Sequence, residues 1–257
     1  MAKIMKNTKI ILLFCAFVGA FSMCAQQDIP EHIVRVNVIP KNDAQALKGV
    51  WKEWKSFVET NVPSFKGWDL YEDTNNRIWD VSFLSNYAQV DEEQKQWKEA
   101  FAKYQATGKT SLMESWVAGS HHNAVSMFRY RSDLSYVNGD LNMADHPYRK
   151  IYWAYPKRDR MSDFAKALEM MKEIDAELGI KLHRYVYECD FGDEMPLIAM
   201  VLPGKSQLQY LQGLAKRDEM RATSKKYAQM MDLFEGASRK TEHFHLTHLP
   251  EISRKVE

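Results

Sequence analysis

The feature that most constrains this chain is an internal duplication. "VRVNVIPKNDAQALKGVWKEW", Val34 to Trp54, alternates like a strand, turns at Pro40 and continues as a helix. Leu47, Val50, Trp51, Trp54 and Phe57 then recur at helical spacing. "YRKIYWAYPKRDRMSDFAKALEMMKEI", Tyr148 to Ile174, repeats the pattern with Pro156 in the place of Pro40. Its helix is expected to start at an N-cap Ser162, to carry Phe164, Leu168, Met171, Ile174 and Leu178, and to stop at Gly179. Paired strands follow in each copy, turning at Thr74-Asn75-Asn76 and around Gly192-Asp193. A second helix is expected near Asp91–Gln105 and again from Ser206 to Leu233. Each copy closes on a strand, "AVSMFRYRSDLS" and "HFHLTHLPEIS", whose tails match as Asp133-Leu134-Ser135 against Glu251-Ile252-Ser253.

Each half therefore reads β-α-β-β-α-β, a ferredoxin-like unit, over residues 31–138 and 147–254. Such a unit covers one sheet face with helices and leaves the other bare. The fold class expected is α+β, with two tandem ferredoxin-like sheets packed face to face. This topology, from about Glu31 to Ser253, resembles the dimeric α+β barrel superfamily of antibiotic-biosynthesis-type monooxygenases, NIPSNAP-like proteins and chlorite dismutase-type haem proteins. The resemblance implies a barrel built by one tandem chain or by a homodimer, and it selects no branch, because one fold carries many chemistries.

The N-terminus has a character of its own. Lys3, Lys6 and Lys9 precede "IILLFCAFVGAFSMCA", and Ala25 is the small residue before an expected cut at Gln26. Residues 1–25 are thus read as a signal peptide, and the chain as periplasmic or extracellular. The apolar run is too short to span a membrane. Met23 is too bulky for a lipoprotein site at Cys24. The chain has 35 basic and 34 acidic residues, and losing the three leader lysines leaves 32 against 34. With no basic stripe, a nucleic-acid partner is not expected. Cys189 then stands alone, without a partner for a disulfide, and reads as a small core residue.

Strand parity turns the fold into a candidate site. With Val34, Val36, Val38, Leu70, Trp79, Val81 and Phe83 placed under the helices, Arg35, Asn37, Asp69, Tyr71, Asp80, Ser82 and, by alignment, Arg129 face the interior. The second copy sends Trp153, Tyr155, Tyr185, Tyr187, Ile198 and Met200 inward. On the last strand Phe244 and Leu246 are placed under the helices, which turns His243 and His245 inward, about 7 Å apart. His248 has the opposite parity. The expected ligand is a small amphipathic or aromatic molecule in the lumen, with its acidic end toward the arginines. The alternatives are an oxidoreductase and a protein-interaction module. The first is a cofactor-independent oxygenase or a haem enzyme, with His243 or His245 as acid–base or axial ligand and Arg129 stabilising an anion. A transition metal on His243 and His245 would need a third ligand from Asp80, Asp69 or His183, and none is assigned. An extra stretch at 107–122, with Leu112, Met113, Trp116 and Val117 before His121-His122, reads as a lid or as a surface helix.

Overall fold

The computed structural model describes residues 32–39, 44–109, 112, 114–116, 124–192 and 194–254. The leader reading, the His121-His122 pair, Met113, Val117 and Asp193 lie outside them. The first repeat runs β1 (Ile33–Ile39), α1 (Ala44–Asn61), β2 (Asp69–Asp73), β3 (Ile78–Leu84), α2 (Ala88–Gln105) and β4 (Ala124–Tyr130). A short β5 (Tyr136–Val137) leads into the second: β6 (Tyr148–Pro156), α3 (Met161–Glu177), β7 (His183–Phe191), β8 (Ile198–Gly204), α4 (Gln207–Ala222), α5 (Tyr227–Ala237) and β9 (Ser238–His248). The helix expected from Ser206 to Leu233 is two helices, broken after Thr223. Ser206 caps the first of them, accepting from the Gln209 N–H. The cap expected at Ser162 is absent: the N-cap of α3 lies two residues earlier, at Arg160, and makes no side-chain cap hydrogen bond. Gly179 takes φ +60° at the helix end, where a Cβ would be strained.

The sheet order is β4-β1-β3-β2-β9-β6-β8-β7, and β4 also pairs with β7. Each repeat supplies four antiparallel strands in the same order. The two sheets do not simply stack face to face, as expected; they join edge to edge through β2–β9 and β4–β7. The result is an eight-stranded antiparallel barrel closed within one chain. Closure satisfies the edge N–H and C=O groups that two separate sheets would leave open.

Helix packing fixes which strand face points outward. Ile39, Leu70 and Ile78 join Leu47, Val50, Trp51, Trp54 and Val58 of α1 in the first core. Ala154, Val186, Ile198, Met200 and Leu202 join Phe164 and Leu168 of α3 in the second. Leu112 and Trp116 of the 107–122 stretch pack into the first core as well, Trp116 edge-on to Trp51 at 5.0 Å. Those two residues therefore plug the repeat and do not hang over a barrel mouth.

The interior follows by register, and several expectations reverse. Arg35, Asn37, Asp80 and Ser82 lie on the helix side, where Arg35 meets Glu93 of α2 at 2.6 Å and donates to Ser82 at 2.9 Å. Val34, Val36, Val38, Trp79, Val81 and Phe83 face inward instead. Ile198 and Met200 are also on the helix side. Phe244 and Leu246 face inward, Phe244 lying 4.9 Å from Trp79 and 5.1 Å from Trp153, so His243 and His245 face the helices. Arg129 is outside, half-exposed and paired with Asp190 at 3.1 Å. One cause explains these reversals: a barrel strand under helices is buried on both faces, so a row of valines does not say which face it occupies. Leu70 does lie under the helices, and Asp69, Tyr71, Trp153, Tyr155, Tyr185 and Tyr187 do face inward.

Candidate functional site

The space between sheet and helices differs between the repeats. In the first it is closed by stacked aromatics: Trp54 lies 5.2 Å from Trp97 and 4.6 Å from Phe101, and Trp51 lies 5.3 Å from Trp68. In the second a cleft of about 400 Å³ remains, lined by Met171, Met200, Leu202, Leu214, Met231 and Phe234, with Tyr152, Tyr210 and His243. Three arginines complete it: Arg184 from β7, and Arg217 and Arg221 from α4. The last two are spaced i, i+4, so α4 turns both toward the sheet.

Asp175 of α3 anchors this group. Its carboxylate is fully buried and accepts from Arg184 at 2.7 Å and from Arg221 at 2.7 and 3.0 Å. Burial holds the Arg184 pKa below its usual range, and the bonds to Asp175 raise that of Arg221 despite its burial. One acid therefore serves two buried arginines, with Asp218 helping Arg221 at 3.2 Å. Arg217 rests on the Tyr210 ring at 5.2 Å, and its Nε and Nη2 are buried without a hydrogen-bond partner among the described residues. So are Nε and Nη2 of Arg184. Unmatched guanidinium N–H groups beside an apolar wall are the donors a bound acid requires.

The two nominated histidines belong to the edge of this cleft. The His243 ring stands at its exposed rim, edge-on to Tyr152 at 4.8 Å. Burial and the nearby Lys150 keep its pKa below the usual histidine value, which leaves the imidazole neutral at pH 7. The Nδ1 of His245 meets Tyr148 Oη at 2.6 Å and its Nε2 meets Lys150 Nζ at 3.0 Å. Lys150 is itself buried on the helix side of β6, and burial lowers its pKa. Tyr148, His245 and Lys150 thus form a hydrogen-bonded row behind Tyr152, over whose ring Lys150 sits at 5.0 Å. Sequence reasoning missed Lys150, Arg184, Arg217 and Arg221. A Lys inside the apolar run "YRKIYWAY" and the i, i+4 arginines of α4 were the available signals.

The metal reading does not fit this placement. Among the described residues no three His, Cys, Asp or Glu side chains gather closely enough to hold an ion. Asp80 lies under the first repeat's helices, while Asp69 and His183 face the interior, away from His243 and His245. A haem iron would need an imidazole nitrogen aimed into the cleft. His245 has both nitrogens engaged, and His243 is the histidine lining the cleft among the described residues. Cys189 is buried, and burial pushes its thiol up to about 11, away from the thiolate a nucleophile needs.

No family model matches the sequence, and no curated protein matches it either. Solved structures do match the fold. A proposed monooxygenase from Lactobacillus acidophilus NCFM aligns over 88% of this chain and 100% of its own, at 8% identity and a TM-score of 0.50. An anthrone oxidase-like protein aligns over 85% and 91%, at 8% identity and a TM-score of 0.51. The chain shares the fold of these two structures, and at such identities the likeness is one of fold alone.

Proposed function

We propose that the cleft of the second repeat binds a small amphipathic acid, its apolar or aromatic body on the methionine and leucine wall and its anionic end on Arg217 and Arg184. The observation that carries this is the pairing of unmatched guanidinium N–H groups with an open apolar cleft. Arg184 and Arg221 share the buried Asp175 carboxylate, and Asp218 and Glu235 also lie at the cleft, so its draw on an anion rests on the unmatched N–H groups and not on a net charge. Titrating the protein with 1-anilinonaphthalene-8-sulfonate, an aromatic acid that fluoresces when shielded from water, tests the reading. Arg217→Gln is expected to weaken binding about tenfold, as is Leu214→Trp, which fills the wall. Binding unchanged in both variants would overturn it.

A second reading, that the bound molecule is oxidised, draws on the neutral His243 at the rim. An imidazole there can accept a proton from an acidic C–H or O–H of an electron-rich aromatic, leaving dioxygen as the electron acceptor. The oxidising activities attributed to the two structural neighbours support this class of chemistry. Oxygen uptake with phenolic acids, lost in His243→Ala while the fluorescent acid still binds, is the expected result. No uptake with any bound acid would leave a binding protein. A Soret band after haem addition, lost in the same variant, would instead make haem the ligand.

A further inference from the structure

A second group of polar and aromatic side chains lies inside the barrel, apart from the cleft. Arg149 of β6 points inward, paired in register with Leu246 and Pro203, and is only 6% exposed. Its Nη1 donates to the carbonyls of His146 and Tyr148, its Nη2 reaches the Met143 sulfur at 3.9 Å, and the guanidinium also hydrogen-bonds the Tyr71 phenol. Those contacts are all to neutral groups and supply no negative charge. The acids on the same inner face are engaged elsewhere: Asp69 by His248 at 3.0 Å, Asp73 by Arg77 at 2.6 Å, and Glu242 accepts from the Tyr155 hydroxyl at 2.8 Å. Among the described residues, Arg149 has no ion-pair partner.

Tyrosines surround this cation. Its guanidinium lies over the Tyr71 ring at 5.5 Å, and its charge acts on the phenols of Tyr185 and Tyr187. Tyr130 packs 5.5 Å from Tyr187 and 6.4 Å from Tyr185. Burial raises all four phenol pKa values, so each keeps its O–H at neutral pH. The rim is half-buried rather than sealed, at His32, Asp69, His183, Tyr185 and His248.

A buried, unpaired cation is costly to a fold, and its cost falls when an anion joins it. We propose that this end of the lumen is a second binding site, for a planar oxyanion such as an aromatic carboxylate. Arg149 meets the charge, the phenols of Tyr71 and Tyr185 donate to it, and the remaining rings flank its body. The site stands independently of the cleft.

Calorimetric titration with benzoate at low salt separates the two sites. The wild type, Arg149→Met, Arg217→Gln and the double variant are compared, together with their melting temperatures. Arg217→Gln is expected to keep a benzoate site that the double variant loses by tenfold or more. Without benzoate, Arg149→Met should melt at or above the wild-type temperature, because it removes an unpaired charge and keeps the stem. Tyr71→Phe with Tyr185→Phe should weaken the same site severalfold while leaving the fold intact. Equal benzoate binding in Arg217→Gln and the double variant would overturn the proposal. So would a marked loss of melting temperature in Arg149→Met without benzoate binding to Arg217→Gln, since Arg149 would then serve only to pin the 143–148 segment.

Discussion

The two repeats build the same four strands and treat the space under their helices in opposite ways. Under α1 and α2, tryptophans stack until little room is left. Under α3, α4 and α5, methionines, tyrosines and arginines line an open cleft. Their buried charges differ in sign as well. The first repeat sets two acids, Asp80 and Glu93, against Arg35; the second sets Asp175 against Arg184 and Arg221. A duplicated fold can therefore let one copy carry stability while the other keeps a cavity and a surplus of positive charge. Local departures from good packing and charge balance are where function is expected to sit.

The contrast can be broken most forcefully in the first repeat. Trp54→Ala should cost about 3–5 kcal/mol of stability by opening a cavity among Trp97, Phe57 and Phe101. It should leave binding of the fluorescent acid unchanged, whereas Leu214→Trp should do the reverse. Denaturant unfolding paired with the titration checks both halves of the comparison. Loss of binding in Trp54→Ala at temperatures where the variant is folded would show that the repeats are not divided in this way.

Charge gives the next largest effect. Burial pushes the Asp80 carboxyl up to about 6, against the opposing pull of Arg35. Between about pH 4 and 6 the folded state holds a proton that the unfolded chain has lost, so this group makes stability fall as pH rises through that window. Asp80→Asn should remove that slope and stabilise the protein at pH 7 by about 2–3 kcal/mol. Melting temperatures from pH 4 to 8 would reveal it.

The second repeat should respond with the opposite sign and a smaller amplitude. Burial and Lys150 hold His243 and His245 below the ordinary histidine value. Their contribution is fully present above about pH 6.5 and is lost as pH falls toward their folded values, because the unfolded chain takes the protons first. His245→Gln should flatten this acid-side decline by less than about 1 kcal/mol, measured by the same melting series. An unchanged acid limb would mean that burial and Lys150 do not hold His245 neutral.

How far the sequence could be read depended on what each pattern constrains. The helices of the first core were legible because Leu47, Val50, Trp51 and Trp54 repeat at helical spacing and bury one side. The break after Thr223 was not, because polar, half-buried turns of α4 and α5 offer little periodicity. The candidate site was legible only in composition: aromatic and arginine residues were expected around a ligand, but Arg35 and Arg129 were chosen where Arg184 and Arg217 line the cleft. His243 and His245 were expected in the lumen, and the structure puts them on the helix side, His243 at the rim of the cleft. The reason is parity. Moving a strand's inward face by one residue exchanges lumen for helix side throughout, and both sides of these strands accept apolar residues.

By itself, then, the sequence determined the duplication, the β-α-β-β-α-β order of each copy, and the residues available for chemistry. Those follow from local periodicity and turn residues, which act over a few neighbours. Only the tertiary structure decided that the sheets close edge to edge within one chain. It also decided that Arg149 is buried at one end of the lumen, and that tryptophan fills the space between sheet and helices in the first repeat while the second keeps a cleft there. Those outcomes rest on strand register and on packing between residues more than a hundred positions apart, as in the Tyr71–His248 pairing across β2 and β9. No local pattern encodes them, because the same alternating residues satisfy either face until a partner strand fixes the choice.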